Sequence, residues 1–197
     1  MREMIRIFLS VLLFSAISGG LLTVLENATE NRIEYQQLKF VKGPAIQEVL
    51  KGASNNPLVD RFKVADGKTE RNVFVGVFNG KPNTVALESV GKGFAGDIGV
   101  IVGIDLDTDK IVGVGVTTLS ETPGVGSRVK TDPSFVAQFK GKSIKDPFEV
   151  KSKGGNIDAL SGATHSSEGV CAAVSAVEGV YARLKPELVQ KMKTMKL

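Results

Sequence analysis

One cysteine, one histidine, no tryptophan and two tyrosines stand among 197 residues. The lone thiol of Cys171 excludes an intrachain disulfide. Cys171 and His165 together fall short of the ligand count of a self-contained zinc or iron–sulfur site. Electron transfer by this chain would therefore need a bound cofactor. Charge of one sign is scarce too: 25 basic residues face 21 acidic ones, for a net +4. The basic residues are dispersed except at the C-terminus, where Lys185, Lys191, Lys193 and Lys196 gather. That tail reads as a solvated helix end, or as a contact with anionic lipid or a partner subunit. No platform of interleaved aromatic and basic residues is present, so nucleic acid is not an expected partner. Internal repeats and low-complexity runs are also missing.

Apolar residues make up 42% of the chain, enough for the core of one domain with an appendage. The appendage is at the front. Ile7 to Leu25 carries no charge and is bounded by Arg6 and Glu26. At ~1.5 Å per residue it covers about 28 Å, close to the ~30 Å hydrocarbon thickness of a bilayer. Gly19 and Gly20 suit a membrane helix that packs on another. A cleaved signal peptide competes, with Arg2 and Arg6 as its basic start and Ala16-Ile17-Ser18 as a small-residue cleavage site. The apolar run continues past that site to Leu25, which favours a retained anchor. Basic residues on its two sides are tied: Arg2 and Arg6 before, Arg32 and Lys39 after.

Glu26 to about Phe40 is polar and reads as a helical stalk. A helix starts near Pro44, and Asn55-Asn56-Pro57 marks a loop. Runs rich in Val and Ile at 72–79, 84–90, 97–105 and 110–118 read as strands, the last two joined by a hairpin at 106–109. Pro133 to Phe139 reads as a short helix. From Ser166 to Lys185 the residues Val170, Val174, Val177, Tyr181 and Leu184 recur at helical spacing. Arg183 and Lys185 suit the C-terminus of that helix, and Pro186 marks its break. The expected class is α+β: an N-terminal transmembrane helix, then a domain with an antiparallel-rich sheet and flanking helices. The boundaries fall at 1–25 for the anchor, 26–70 for stalk and helical region, 71–185 for the main domain and 186–197 for the basic tail.

Three apparent motifs fail on context. Gly91-Lys92-Gly93-Phe94-Ala95-Gly96 spells G-x-G-x-x-G, but a strand candidate follows where a dinucleotide site needs a helix. Asp105, Asp107 and Asp109 imitate the start of a calcium loop, but Lys110 and Val116 stand where Gly and Glu belong. His165 beside Ser166 and Ser167 is no catalytic triad, since adjacency in sequence is not triad geometry. No metal site and no catalytic residue are assigned.

Asp158-Ala159-Leu160-Ser161-Gly162-Ala163-Thr164 is the informative string. A small-residue turn at Ser161, Gly162 and Ala163 runs into the apolar-periodic helix. Amides at a helix N-terminus, lacking intrahelical partners, bind anions. A Thr hydroxyl there is well sited to carry a phosphate ester, although a plain N-capping Thr fits the same residues. Upstream, Leu119-Ser120-Glu121-Thr122-Pro123-Gly124-Val125-Gly126 contains a Pro-Gly pair suited to a type II turn.

The first string resembles the flavinylation motif of the FMN-binding domain found in the G subunit of Rnf electron-transport complexes and in the C subunit of the sodium-translocating NADH:quinone reductase. Ala159 stands where that motif usually has Gly. The second string resembles the family's Glu-Thr-Pro-Gly-Leu-Gly loop, which lies over the flavin. The resemblance covers roughly 73–181 and the anchor arrangement. It implies FMN held covalently through its phosphate on Thr164, with Ser161, Gly162, Ala163, Leu119, Glu121, Thr122 and Gly124 around it. It implies a separate FAD- and magnesium-dependent flavin transferase that recognises Asp158. The implied role is an electron-carrier subunit of a membrane-bound ferredoxin:NAD oxidoreductase that translocates ions, partnered by the other membrane subunits. It also implies an N-terminus in the cytoplasm and a domain outside a prokaryotic cell membrane. The compact length favours the Rnf G subunit over the quinone-reductase subunit. A tethered binding or assembly domain without redox chemistry is the reading from another class.

Overall fold

The computed structural model describes residues 1–67 and 69–195. Two units divide the chain, Met1–Lys39 and Phe40–Leu197. The first is built on α1, Arg2–Gln36. Its stretch Arg2–Glu30 is a helix long and apolar enough to cross a membrane. The large apolar side chains from Ile5 to Leu25 are all exposed, the arrangement of a helix whose solvent is lipid.

A π-helical turn, Gln37–Lys42, leads into α2, Gly43–Val49, which has a proline in its first turn. Five strands follow: β1 Arg61–Asp66, β2 Thr69–Phe78, β3 Lys81–Lys92, β4 Asp97–Asp105 and β5 Lys110–Leu119. They form one antiparallel meander in the order β1-β2-β3-β4-β5. Short helices α3, Arg128–Thr131, and α4, Pro133–Ala137, come next, then a 3-10 turn at Lys151–Lys153. The long α5, Thr164–Thr194, is the last element among the described residues. The domain is α+β, as the run of strands between helices suggests.

Side chains alternate across a strand, and both faces of this sheet are covered. Val73, Val75, Val85, Leu87, Val100 and Val102 join Val170, Val174 and Val177 of α5 in the main core. Phe74, Ala86 and Ile101, also buried, belong to the opposite face. There α2 lies close, because Gly103, Gly113 and Gly115 leave room for Val49 and Ala45.

Two features depart from the sequence reading. β1 lies where helical structure and loop were expected. Only Val64 of its six residues is buried, so an edge strand rich in charge carries almost no apolar alternation. Pro186, read as the helix break, lies inside α5. An interior proline removes one backbone hydrogen bond and costs ~3 kcal/mol. Beyond it Leu188 and Met192 are buried, each contributing ~1.5–3 kcal/mol. Lys191 Nζ also donates to the Lys63 carbonyl at 2.9 Å and sits over the Phe62 ring. Packing against β1 offsets the defect. Arg183 and Lys185 therefore end no helix; they pair with Asp66 and Asp109. Lys196 lies outside the described residues.

The segment 138–163 between α4 and α5 has little regular structure but is tied to the sheet. Ile111 N–H donates to Lys142 O at 2.9 Å, Gly141 N–H to Ile111 O at 2.8 Å and Ile144 N–H to Asp109 O at 2.9 Å. Phe139, Ile144, Phe148, Val150 and Ile157 anchor it in the core.

Asp109, at the β4–β5 turn, is the junction of these parts. Its carboxylate accepts from Lys185, from the Tyr181 phenol at 2.6 Å and from Lys145 at 3.1 Å. The Lys185 hydrogen bond, then the Tyr181 one, hold its pKa well below the ordinary 3.8 against the opposing effect of burial. A depressed carboxylate stabilises the fold above its unfolded pKa and loses that contribution as pH falls through its folded one. Asp109→Asn keeps a residue tolerant of the positive φ found here, 55°. We expect it to lower unfolding free energy at pH 7 by about 1.5–3 kcal/mol in a denaturant titration. The deficit should narrow as pH falls below about 4, where the unfolded carboxylate takes up its proton while the native one stays ionised, and should close only once the native carboxylate protonates as well.

Candidate functional site

α5 begins without a side-chain cap, its N-cap being Ala163. The first intrahelical bond runs from Ser167 N–H to Ala163 O at 2.9 Å. The amides of Thr164, His165 and Ser166 therefore precede the ladder, and the macrodipole places partial positive charge there. Gly162 holds φ +78°, a conformation that glycine adopts without strain, and this turn delivers the chain to the helix. Ala159 is not among the positive-φ residues, so its backbone does not demand the glycine usual at that position.

The hydroxyls of this turn divide. Ser166 is buried and donates to Glu121 Oε2 at 2.6 Å. Ser167, also buried, donates to Ala163 O at 2.9 Å and accepts from Leu160 N–H at 3.1 Å. Thr164 is exposed as the first helical residue. It does not cap its own helix, so its Oγ1 is available for chemistry.

A cleft of about 390 Å³ opens at this point, lined by Gly162, Ala163, Thr164, Glu121 and Thr122 among the expected residues. That volume is within the usual range for small-molecule sites. Its other walls are Phe94, Val125, Gly126, His165 and Ser166, which sequence reasoning did not assign. Phe94 was hidden in the Gly91–Gly96 run, which lies at the β3–β4 junction. The only signal for it was an aromatic residue flanked by small ones in a turn. Leu119 and Gly124 do not line the cleft. Leu119 ends β5, and Gly124 forms the turn. Val125 N–H donates to Thr122 O at 3.2 Å across that turn, with Gly124 at φ +76°, as type II geometry requires.

Ser161 and Asp158 also stand off the cleft, on the approach to it. Ser161 O accepts from Arg128 at 3.3 Å. Gln138 grips the Asp158 backbone twice, donating to its carbonyl at 3.1 Å and accepting from its N–H at 2.7 Å. The Asp158 carboxylate is exposed and pairs with Lys151 at 2.8 Å.

Glu121 braces the site. It is 7% exposed. Burial pushes its pKa up, but the Ser166 hydroxyl and the amides of Ala95, Phe94 and Gly96 outweigh burial, and the net shift is downward. An ionised carboxylate thus ties the β3–β4 loop to the first turn of α5, with Ala95 N–H at 2.9 Å from Oε1. A larger cleft of about 870 Å³ lies along α5 beside Val90, Phe148 and Glu149. None of the residues 119–126 or 158–164 lines it. Its Cys171 is buried, and burial pushes the thiol up to about 12, which keeps it unreactive.

The FMN-binding domain profile matches residues 93–177, the span that holds every wall of the smaller cleft. The G subunit of the ion-translocating oxidoreductase complex of Pseudomonas aeruginosa (strain UCBPP-PA14) is 34% identical over 186 residues, 88% of this chain and 86% of that one. Its counterpart in Escherichia coli O157:H7 is 30% identical, over 93% of each chain. Among solved structures, Shewanella oneidensis NqrC is 28% identical over 71% of this chain and 72% of its own, with a TM-score of 0.50. The C subunit of the Na(+)-translocating NADH-quinone reductase from Parabacteroides distasonis covers 83% of this chain and 96% of its own at 21% identity, with a TM-score of 0.53, a likeness of fold.

Proposed function

The chain belongs to the family of G subunits of ion-translocating oxidoreductase complexes, and from this we propose that it is the FMN-bearing electron carrier of such a complex, an Rnf complex. The observation that carries the reading is an exposed Thr164 hydroxyl on the open end of a long helix, inside a cleft of cofactor size. The cleft fits the group: uncapped amides and the helix dipole suit its phosphate, and Phe94, Val125 and Ala163 offer apolar surface to its ring.

FMN is held on Thr164 as a phosphoester. A Thr hydroxyl is a weak nucleophile without a base or metal, so a magnesium-dependent flavin transferase installs it from FAD. The Oγ1–phosphorus bond forms, the pyrophosphate bond breaks, AMP leaves, and the transferase takes the hydroxyl proton. Asp158, exposed on a backbone that Gln138 holds, is a fitting recognition point. Bound flavin supplies one- and two-electron redox chemistry. Thr164 prevents its loss, and Glu121 keeps the loop and helix that flank it in register. α1 anchors the domain, with the N-terminus inside and the domain outside the cell membrane. Uncharged from Ile7 to Leu25, a single helix does not line an ion path, so ion movement falls to partner subunits. The NqrC likeness favours the C subunit of a quinone reductase as the second reading.

The test is the mass of the Thr164 peptide from protein purified from its own cells. The expected value exceeds the bare peptide by FMN less one water. A bare peptide throughout would end the covalent reading and leave a tethered binding domain.

A further inference from the structure

Phe94 is 76% exposed, yet it does not sit on a loose loop. Gly93 N–H donates to Gly96 O at 2.8 Å, and Ala95 N–H to Glu121 at 2.9 Å, so the backbone on both sides of it is fixed. A large aromatic side chain held in water by a rigid backbone forgoes the burial that a small rearrangement would give it. Across the cleft mouth it stacks on His165, with ring centroids 6.1 Å apart and planes 26° from parallel. His165 is held in turn: its Nδ1 lies 3.3 Å from Glu168 Oε2, and Glu168 Oε1 is 3.1 Å from Lys153. The Lys153 hydrogen bond holds the Glu168 pKa down, so an ionised carboxylate orients the imidazole. Both rings line the same cleft as Thr164.

We propose that Phe94 and His165 form an aromatic clamp that seats the flat ring system of the flavin and shields it from solvent. The clamp rests on the reading of Thr164 as the attachment point. Two nearly parallel rings, each oriented from behind, present π faces to a planar ligand. One ring is the neighbour of the attachment residue. The other arrives from the β3–β4 loop, so the two walls belong to separate elements, and their side chains part from 6.1 Å to the roughly 7 Å that a planar ligand needs between two faces. Glu168 and Lys153 act as positioning residues through His165.

The test measures iodide quenching of flavin fluorescence in full-length protein made with the transferase, normalised to covalently attached flavin counted by peptide mass. Phe94→Ala is expected to raise the quenching constant about 2- to 10-fold, the population change that an aromatic contact of ordinary strength sets. Phe94→Tyr, which keeps the ring, should restore protection. His165→Leu should act like Phe94→Ala, and His165→Phe like the unsubstituted chain. Phe94 is remote in sequence from Thr164, so its variants still read the clamp if substitution at 165 hinders attachment. Labelled Phe94→Ala protein with unchanged quenching would overturn the clamp while Thr164 attachment stood, and would leave Phe94 as a contact for a neighbouring protein of the complex. An unlabelled Thr164 peptide in the unsubstituted protein would remove both.

Discussion

Thr164→Val should turn the protein dark. On a denaturing gel under ultraviolet light, unsubstituted protein made with the transferase is expected to give a fluorescent band, and the variant none. The change is all-or-none because the neighbouring hydroxyls of the first turn are engaged elsewhere. Ser166 is buried against Glu121, and Ser167 is buried against the turn that precedes the helix. Neither can present its oxygen without breaking a buried hydrogen bond, which costs ~1–3 kcal/mol. Ser161 is exposed but lies outside the cleft, so Ser161→Ala should stay bright. Thr164→Ser keeps an oxygen at the same point and should also stay bright. The loss in Thr164→Val is chemical, not structural. An exposed first-turn residue with no capping role changes stability by only about 0.5 kcal/mol or less, so thermal melting should be close to unchanged. A bright Thr164→Val band would refute attachment at this residue.

Gly169→Val and Gly91→Val should unfold the domain or nearly so. Here α5 crosses β3 backbone to backbone. A Cβ on Gly91 would overlap the Gly169 carbonyl oxygen, and one on Gly169 would lie 2.6 Å from Lys92 O and 2.9 Å from Lys92 C. The atoms in the way are main-chain atoms of the central sheet, so no side chain can swing aside. In an open helix, replacing Gly with Ala gains ~1 kcal/mol; at 169 the sign reverses. Forcing the layers apart opens the Val170–Val174–Val177 core as well. Overpacking costs ~1–3 kcal/mol in a yielding core. Against rigid backbone on both sides the loss should exceed ~4 kcal/mol, much of the ~5–15 kcal/mol that holds a domain together. Denaturant midpoints of Gly169→Ala and Gly169→Val would show it as a graded fall. A Gly169→Ala protein as stable as its parent would show that the two backbones can part at little cost.

The crossing also shows what the sequence could and could not reveal. Gly169 is one small residue inside the helical pattern of 166–185, and nothing local marks it as a crossing point; its partner Gly91 was legible only as part of a failed dinucleotide motif. Strands β2 to β5 were readable because Val and Ile repeat between turn residues. β1 was not, since an edge strand needs little burial to pair. Pro186 misled because local propensity argues for a break, while Leu188 and Met192 find burial that no local pattern announces. At the site, Thr164 and the turn before it were legible because their spacing is local. Phe94 comes from a loop far away in sequence, and only the folded β3–β4 junction brings it to His165. Glu121 was legible as a site residue, but not as the brace between two elements.

The fastening of residues 138–163 to the β4–β5 hairpin has a thermodynamic consequence for whatever docks at Thr164. An irregular approach of this length would ordinarily surrender ~1–2 kcal/mol of conformational entropy per residue on being ordered by a visitor. Pinned in advance through Ile111, Asp109 and a row of buried phenylalanines, it has already made that sacrifice during folding. An incoming enzyme or ligand meets a preformed surface, and more of its contact energy survives as affinity.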